Sequence, residues 1–452
     1  MEKKYLKWYH KIGYGSGDIA GNVVYALLTA FVMFYLTDTV DLSMGIVGTL
    51  IALSKVFDGV TDFFFGRMID KTHTKMGKAR PWMLWPYIGC AVALVACFAI
   101  PTSWGQTAQY AFFFIAYTLL NAVFFTANNI AYASLTALIT KNTHERVQLG
   151  SIRFVFAFGT SMLIQYITID AVNWFGGGAE GWRMVAIIYA IIGLIVNTIS
   201  VFSVKELPET DEVTNKEGKE DKKLTFFGSF KLLLQNKYYV IICFTYILTQ
   251  LYSSVLGMGI YYMKYILGNE ELFGDFALAI NIPMVAALLV LPLVIQKMGS
   301  MYKLNVLGYI LATLGRVGVM IAGYLGSIPL MIAFTALATL GIAPLQGNLN
   351  ALIASCSEYT TLKTGERLDG MMYSCSSLGI KIGGALGTAI CGWLLDAAGY
   401  IENAATQTPA CVNMLQFLYL WAPAILCLVV TFLLSRLKVE KANKLLMESK
   451  SE

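Results

Sequence analysis

The chain has 452 residues, 57% of them hydrophobic and 13% charged, with a mean hydropathy of +0.63. Soluble domains carry about a quarter charged residues, so a water-soluble globular fold is excluded, and apolar stretches of about 20 residues, each able to cross a bilayer as a helix, recur along nearly the whole length. The net charge of +5 comes from lysines and arginines dispersed among short polar segments, which offers no contiguous surface for nucleic acid.

The apolar runs predict twelve spans, over 14–37, 44–68, 82–101, 108–138, 150–172, 182–204, 238–264, 272–296, 302–325, 328–354, 371–397 and 412–436. The expected class is an all-α polytopic membrane protein. Lysine and arginine fall on the N-terminal tail (Lys3, Lys4, Lys7, Lys11), the second, fourth, eighth and tenth loops, and the C-terminal tail. The alternate loops TDTVDLS, PTSWGQTAQ, GNEELFGD and GYIENAATQTPACVN have none. The positive-inside rule then predicts two cytoplasmic termini and a cytoplasmic or inner membrane location. The eight cysteines form no CxxC pair and read as small apolar residues, with no disulfide or metal role expected. The start of the chain has no signal-peptide cleavage pattern.

Span one carries Asp18 and Asn22, one turn apart on one face. Asp18 also suits a helix start, where the dipole favours a carboxylate. Span two carries Lys55, Asp58 and Asp62 at i, i+3 and i+7, on one face with Thr61 beside them. Ionisable groups at membrane depth cost about 2.5–3.5 kcal/mol on insertion scales and mark function by default. Two carboxylates with a neutral hydroxyl between them match a small monovalent cation; a structural salt bridge with Lys55 or Lys381 is the alternative. Two close carboxylates also raise each other's proton affinity, so Na+ and H+ both remain candidates. Gly66 and Asp70 close that helix, and a basic turn with Lys78 and Arg80 follows.

Span four carries Asn121, Thr126, Asn128 and Asn129, more polar groups than interhelical hydrogen bonding usually needs. Span five has Arg153, whose planar fork suits two sugar hydroxyls or a carboxylate, or which snorkels to the interface. Arg316 lies in span nine. Span eleven places Lys381 among Gly379, Gly383 and Gly387, a small-residue face that permits close helix approach.

Between spans six and seven, Lys205–Lys237 holds seven lysines and seven acidic residues and divides the chain into a six-helix bundle over 1–204, a central cytoplasmic loop over 205–237 and a second bundle with its tail over 238–452. The stretch 224–234 inside the loop reads as an interfacial helix. Two six-helix halves about a long central loop is the expected layout of a major facilitator transporter, with the substrate site near the midplane.

KIGYGSGD at 11–18, FYLTD at 34–38, KVFDGVTDFFFGRMIDKTHTKMGKARPW at 55–82 and EYTTLKTGERLDG at 358–370 give the chain a resemblance, over essentially its whole length, to the glycoside–pentoside–hexuronide:cation symporters, the family of the melibiose carriers. The resemblance implies a coupling cation at Asp58, Thr61, Asp62 and Thr126. It implies substrate contacts at Asn22, Asn129 and Arg153, with Lys381 linked to the cation; Asp18 and Lys381 are expected to line the substrate site as well. Thr61 stands where the melibiose carriers have asparagine, and Asn22 and Asn129 stand where they have aspartates. With Arg153 and Lys381 kept and two carboxylates gone, an anionic sugar becomes better tolerated than melibiose. Gating is expected from Asp70, Lys78 and Arg80 together with Glu358 and Arg367. The expected activity is sugar:cation symport by alternating access, with no cofactor beyond the cation and no other metal. The partners are a small-molecule sugar and the lipid bilayer, and a monomer is expected. The alternative is an uncoupled or lipid-type carrier. A membrane-embedded enzyme is disfavoured, because His10, His73 and His144 are scattered over polar segments and form no catalytic cluster.

Overall fold

The computed structural model describes residues 4–140, 142–207, 233–365 and 369–451. Among them there is no strand, and twelve helical stretches are long and apolar enough to cross a membrane, as the apolar runs predict. The stretch 224–234 expected to lie along the membrane falls almost entirely outside the described residues. So do Arg367 and the side chain of Asp70.

The chain divides into two compact units. One comprises Met1–Glu209 with Gly257–Leu278 and Thr388–Leu415; the other comprises Thr210–Leu256, Ala279–Gly387 and Gln416–Glu452. In the first unit, α1 (Trp8–Gly15) leads into α2 (Gly17–Asp38), followed by α3 (Met44–Asp70) and α4 (Arg80–Cys97). The fourth span is α5 (Gln106–Thr118) and α6 (Thr126–Ile139), joined by a π-helical turn over Leu119–Phe125. Then come α7 (Thr143–Trp174) and α8 (Gly178–Ser203). α7 starts earlier than its apolar run because the Asn142 side chain accepts the Glu145 N–H at 3.1 Å and caps the helix.

The expected span 238–264 is two helices, α9 (Lys237–Gly257) and α10 (Gly259–Tyr265). The break falls at Gly257-Met258-Gly259, where two glycines remove the side-chain packing that would hold one continuous helix. α11 (Leu272–Met298), α12 (Met301–Tyr324), α13 (Ile328–Thr364) and α14 (Asp369–Ala397) follow. α13 runs past its apolar stretch until Gly365 adopts φ +79°, a left-handed stop. The last span is α15 (Pro409–Gln416), a π turn over Phe417–Trp421, and α16 (Ala422–Arg436). A polar helix, α17 (Val439–Ser451), closes the chain.

In the second unit, α12 and α13 meet backbone to backbone: a Cβ on Gly341 would lie 2.3 Å from the Gly308 carbonyl oxygen. Small residues let apolar helices approach closely where no hydrophobic drive exists between them. Asn305 and Asn348 lock the same pair with two reciprocal 3.0 Å hydrogen bonds.

Carboxylates hold the polar ends of helices. Glu206, just after the sixth span, accepts the N–H groups of Lys78, Ala79 and Arg80 at 2.7, 2.9 and 3.0 Å, at the start of the third span. Glu440, just after the twelfth span, accepts from the Ser300 hydroxyl at 2.7 Å and the Met301 N–H at 2.9 Å, at the start of the ninth. The two halves of the sequence repeat one device, a carboxylate on the exposed N–H groups and positive dipole of a helix start.

Glu145 ties down the N-terminal segment. It accepts from the Thr140 hydroxyl at 2.7 Å and from the Leu6 and Tyr5 N–H groups at 3.1 Å each, with the Lys11 ammonium at 3.3 Å. Burial pushes its pKa up, but these donors outweigh burial and hold it below the ordinary carboxylate value. A depressed folded-state pKa stabilises above the unfolded-state pKa, and that contribution disappears as pH falls through the folded value. Glu145→Gln is expected to cost about 2 kcal/mol at neutral pH, the worth of hydrogen bonds to a charged group. The gap to the parent should shrink in thermal unfolding as the pH is taken below the carboxylate range.

Candidate functional site

The polar residues of the first unit gather in two clusters on α2, α3, α6 and α7. In the first, the Thr126 hydroxyl reaches an Asp58 carboxylate oxygen in a very short hydrogen bond. The π turn before it explains the aim. An extra residue per turn frees carbonyls from the helical ladder, and the Thr126 hydroxyl is also 2.8 Å from the Asn121 carbonyl. π turns recur at functional sites for this reason. Thr61 directs its proton to the Asp58 backbone carbonyl at 3.1 Å, which leaves its oxygen lone pairs free to face a cation. Lys55 lies within electrostatic reach of Asp58, and its ammonium is 3.2 Å from the Thr388 hydroxyl. Asp58, Thr61 and Asp62 are all half-buried.

The second cluster is built on Asp18. Its carboxylate takes Arg153 Nε at 2.7 Å and the Tyr132 hydroxyl at 2.9 Å. The Arg153 guanidinium lies 4.1 Å from the centre of the Tyr132 ring, a cation–π contact. The Tyr14 ring packs at a tilt against that of Tyr132, and its hydroxyl donates to the Tyr132 carbonyl at 2.7 Å. Asp18 therefore has a defined partner and is more than a helix-start carboxylate, and Arg153 holds a carboxylate instead of snorkelling.

The remaining expected residues divide. Asn22 donates to the Asp18 backbone carbonyl at 2.8 Å, and Asn129 is exposed. Asn128, by contrast, is buried and bridges the Met83 carbonyl and Asn197, so it is interhelical structure. Arg80 is buried and donates to the carbonyls of Val201 at 2.9 Å and Met76 at 3.3 Å. Lys78 contributes its backbone N–H to Glu206. Lys381 is half-buried on α14 in the second unit, and Glu358 is exposed on α13 with its carboxylate 3.2 Å from the Asn443 amide. Among the described residues no group of histidine, cysteine and carboxylate side chains could hold a transition metal, and Cys90, Cys97, Cys243, Cys356, Cys391, Cys411 and Cys427 form no disulfide.

A family model described as MFS/sugar transport protein matches residues 13–441. The chain belongs to that family. This MFS sugar transporter is 30% identical over 431 residues to the isoprimeverose transporter of Lactiplantibacillus pentosus, covering 94% of this chain and 87% of the relative. It is 28% identical over 439 residues to the putative glycoside/cation symporter YagG of Escherichia coli strain K12, covering 96% and 92%. The resemblance to the glycoside–pentoside–hexuronide:cation symporters is therefore borne out, and the relatives are transporters, not enzymes. Among solved structures, an inward-facing bacterial homologue of the human lysosomal transporter Spinster superposes with a TM-score of 0.69 at 13% identity, covering 97% of this chain and 96% of that one. At that identity it shows the fold alone.

Tyr132 and Glu206 are missed by sequence reasoning. Tyr132 is one more aromatic in an apolar span. Glu206 sits in a charge-rich segment that reads as solvated loop. For the MFS sugar transporter, Asp18→Asn and Arg153→Gln should each destabilise, since each leaves a half-buried charge unpaired. Together they should lose less than the sum of the two, with a coupling of about 1–3 kcal/mol. Unfolding of the singles and the double in detergent checks this.

Proposed function

We propose that the protein is a sugar:cation symporter that works by alternating access. Its coupling cation, Na+ or H+, binds at Asp58, Asp62 and Thr126 with Thr61 as a further oxygen. The reading is carried by the Thr126–Asp58 contact, which joins α3 to α6 through a carboxylate at membrane depth. A cation arriving there meets oxygen donors from two helices, the hard-ligand environment that alkali ions and protons share.

The sugar's contacts are Asp18, Asn22, Asn129 and Arg153, with Tyr132 added. Arg153 is charge-compensated by Asp18, so the positive surplus that would favour an anionic sugar is smaller than the residue inventory implies. This supports a neutral glycoside as substrate. Cation binding neutralises the acidic pair and raises sugar affinity, and the sugar raises cation affinity by the same factor. Lys381 keeps the cation-linked role that the resemblance assigns, and Asp70, Lys78, Arg80, Glu358 and Arg367 the gating one. Loop charge supports two cytoplasmic termini, and the chain is taken to act as a monomer.

Uptake in proteoliposomes under imposed Na+ or H+ gradients tests the coupling. Asp58→Asn and Asp62→Asn should each abolish gradient-driven accumulation while leaving sugar exchange measurable. Thr126→Ala should raise the half-saturating cation concentration about tenfold, equal to about 1.4 kcal/mol. Wild-type accumulation by Asp58→Asn overturns the coupling assignment, and parent uptake indifferent to both gradients leaves the uncoupled carrier. A panel of neutral glycosides and uronides identifies the sugar class.

A further inference from the structure

The FYLTD stretch at 34–38 plays no part in the proposed sugar or cation contacts, yet its side chains are engaged at the far end of α2. Lys264 Nζ lies 4.9 Å from the Phe34 ring, and Phe34 meets the Tyr261 ring edge-on at 5.6 Å. The hydroxyls of Thr37 and Tyr261 are 2.9 Å apart. Asp38 has a side chain only 1% exposed and receives Lys264 Nζ at 2.5 Å, the Tyr265 hydroxyl at 2.7 Å and the Tyr400 hydroxyl in a very short bond. Tyr400 is set edge-on against both Tyr261 and Tyr265.

Asp38 is the last residue of α2, where the helix dipole opposes a carboxylate. Buried there, it needs its donors, and removing one leaves an uncompensated charge. Three of the residues around it, Tyr261, Lys264 and Tyr265, travel together on the seven-residue α10, set off from α9 by the break at Met258. Tyr400 lies just after α14, 362 positions from Asp38. All of these belong to the first unit. Above them opens a 270 Å³ cavity lined by Asp38, Lys264, Glu270, Asn173, Trp182 and Asn403. Lys264 is 26% exposed where Asp38 is sealed, so water reaches the pair from the lysine side.

We propose that Asp38, with Lys264, Tyr265 and Tyr400, is a latch that shuts the extracytoplasmic side of the transporter and must release once in each transport cycle. The side follows from the loop-charge orientation given above, so the latch deepens the alternating-access reading. Asp38 is a positioning residue: it holds α10 and the Tyr400 segment on α2 and touches neither sugar nor cation. The three contacts share one carboxylate, so they open as one event instead of loosening singly.

Thr29 gives a reporter. It is exposed, lies two turns inward from Thr37 and one turn from Tyr25, and Tyr25 is within electrostatic reach of Asp58. With Thr29→Cys, labelling by a membrane-impermeant maleimide added outside intact cells is counted against the chain lacking the reporter. The parent should label slowly. Asp38→Asn should raise the rate about tenfold, and Tyr400→Phe, which deletes only one hydroxyl, should raise it by less. If both variants reach the membrane at parent levels and neither labels faster, the latch is refuted. Should Asp38→Asn fail to fold, Tyr400→Phe alone decides by the same criterion. The labelling requires neither sugar nor cation gradient, so its failure is separate from failure of the coupling assignment.

Discussion

A carboxylate drawn out of water needs donors in its place, and the protein supplies them in a different way at each of five acids. Asp58 takes the Thr126 hydroxyl. Asp18 takes a guanidinium and a phenol, and Asp38 an ammonium and two phenols. Glu206 and Glu440 take helix-start N–H groups, Glu440 with the Ser300 hydroxyl besides. The partners sort the acids by role. Backbone N–H groups cannot leave without unwinding a helix, so Glu206 and Glu440 are permanent anchors. Side-chain partners are able to rotate away or be displaced, so the environments of Asp58, Asp18 and Asp38 are the ones that could change without unwinding a helix.

The helical frame makes those choices possible. The π turn before Thr126 puts its hydroxyl against α3, and the same local unwinding frees the Asn121 carbonyl to hold it there. The break at Met258 turns the end of the seventh span into a separate short helix that presents Lys264 and Tyr265 to Asp38. In the second unit, the absent side chains of Gly308 and Gly341 let α12 and α13 approach to backbone contact, while the Asn305–Asn348 pair fixes their register. Irregular backbone at membrane depth is tolerated only where the freed polar groups find partners, and the irregular turns here aim Thr126, Lys264 and Tyr265 at carboxylates.

Compensation also lowers the charge that Arg153 presents. A lone arginine at membrane depth reads as a magnet for an anionic sugar. Paired with Asp18 and stacked on Tyr132, it becomes one arm of a nearly neutral polar surface. A count of charged residues has no means of pairing span one with span five.

Hydropathy alone determined that the chain is a twelve-span membrane protein, because burying about 20 apolar residues as a helix is a local property of each run. Period 3.6 likewise placed Lys55, Asp58, Thr61 and Asp62 on one face, and the motif blocks carried the family. The pairings were decided only in three dimensions. Asp18 with Arg153, Asp38 with Lys264 and Tyr400, and Glu206 with the start of α4 join residues more than a hundred positions apart. The resemblance had set Thr126 beside Asp58, but the π turn that aims its hydroxyl there is one that no residue type announces. Helix formation is written in neighbours along the chain; which donor a buried carboxylate finds depends on how the helices pack around it.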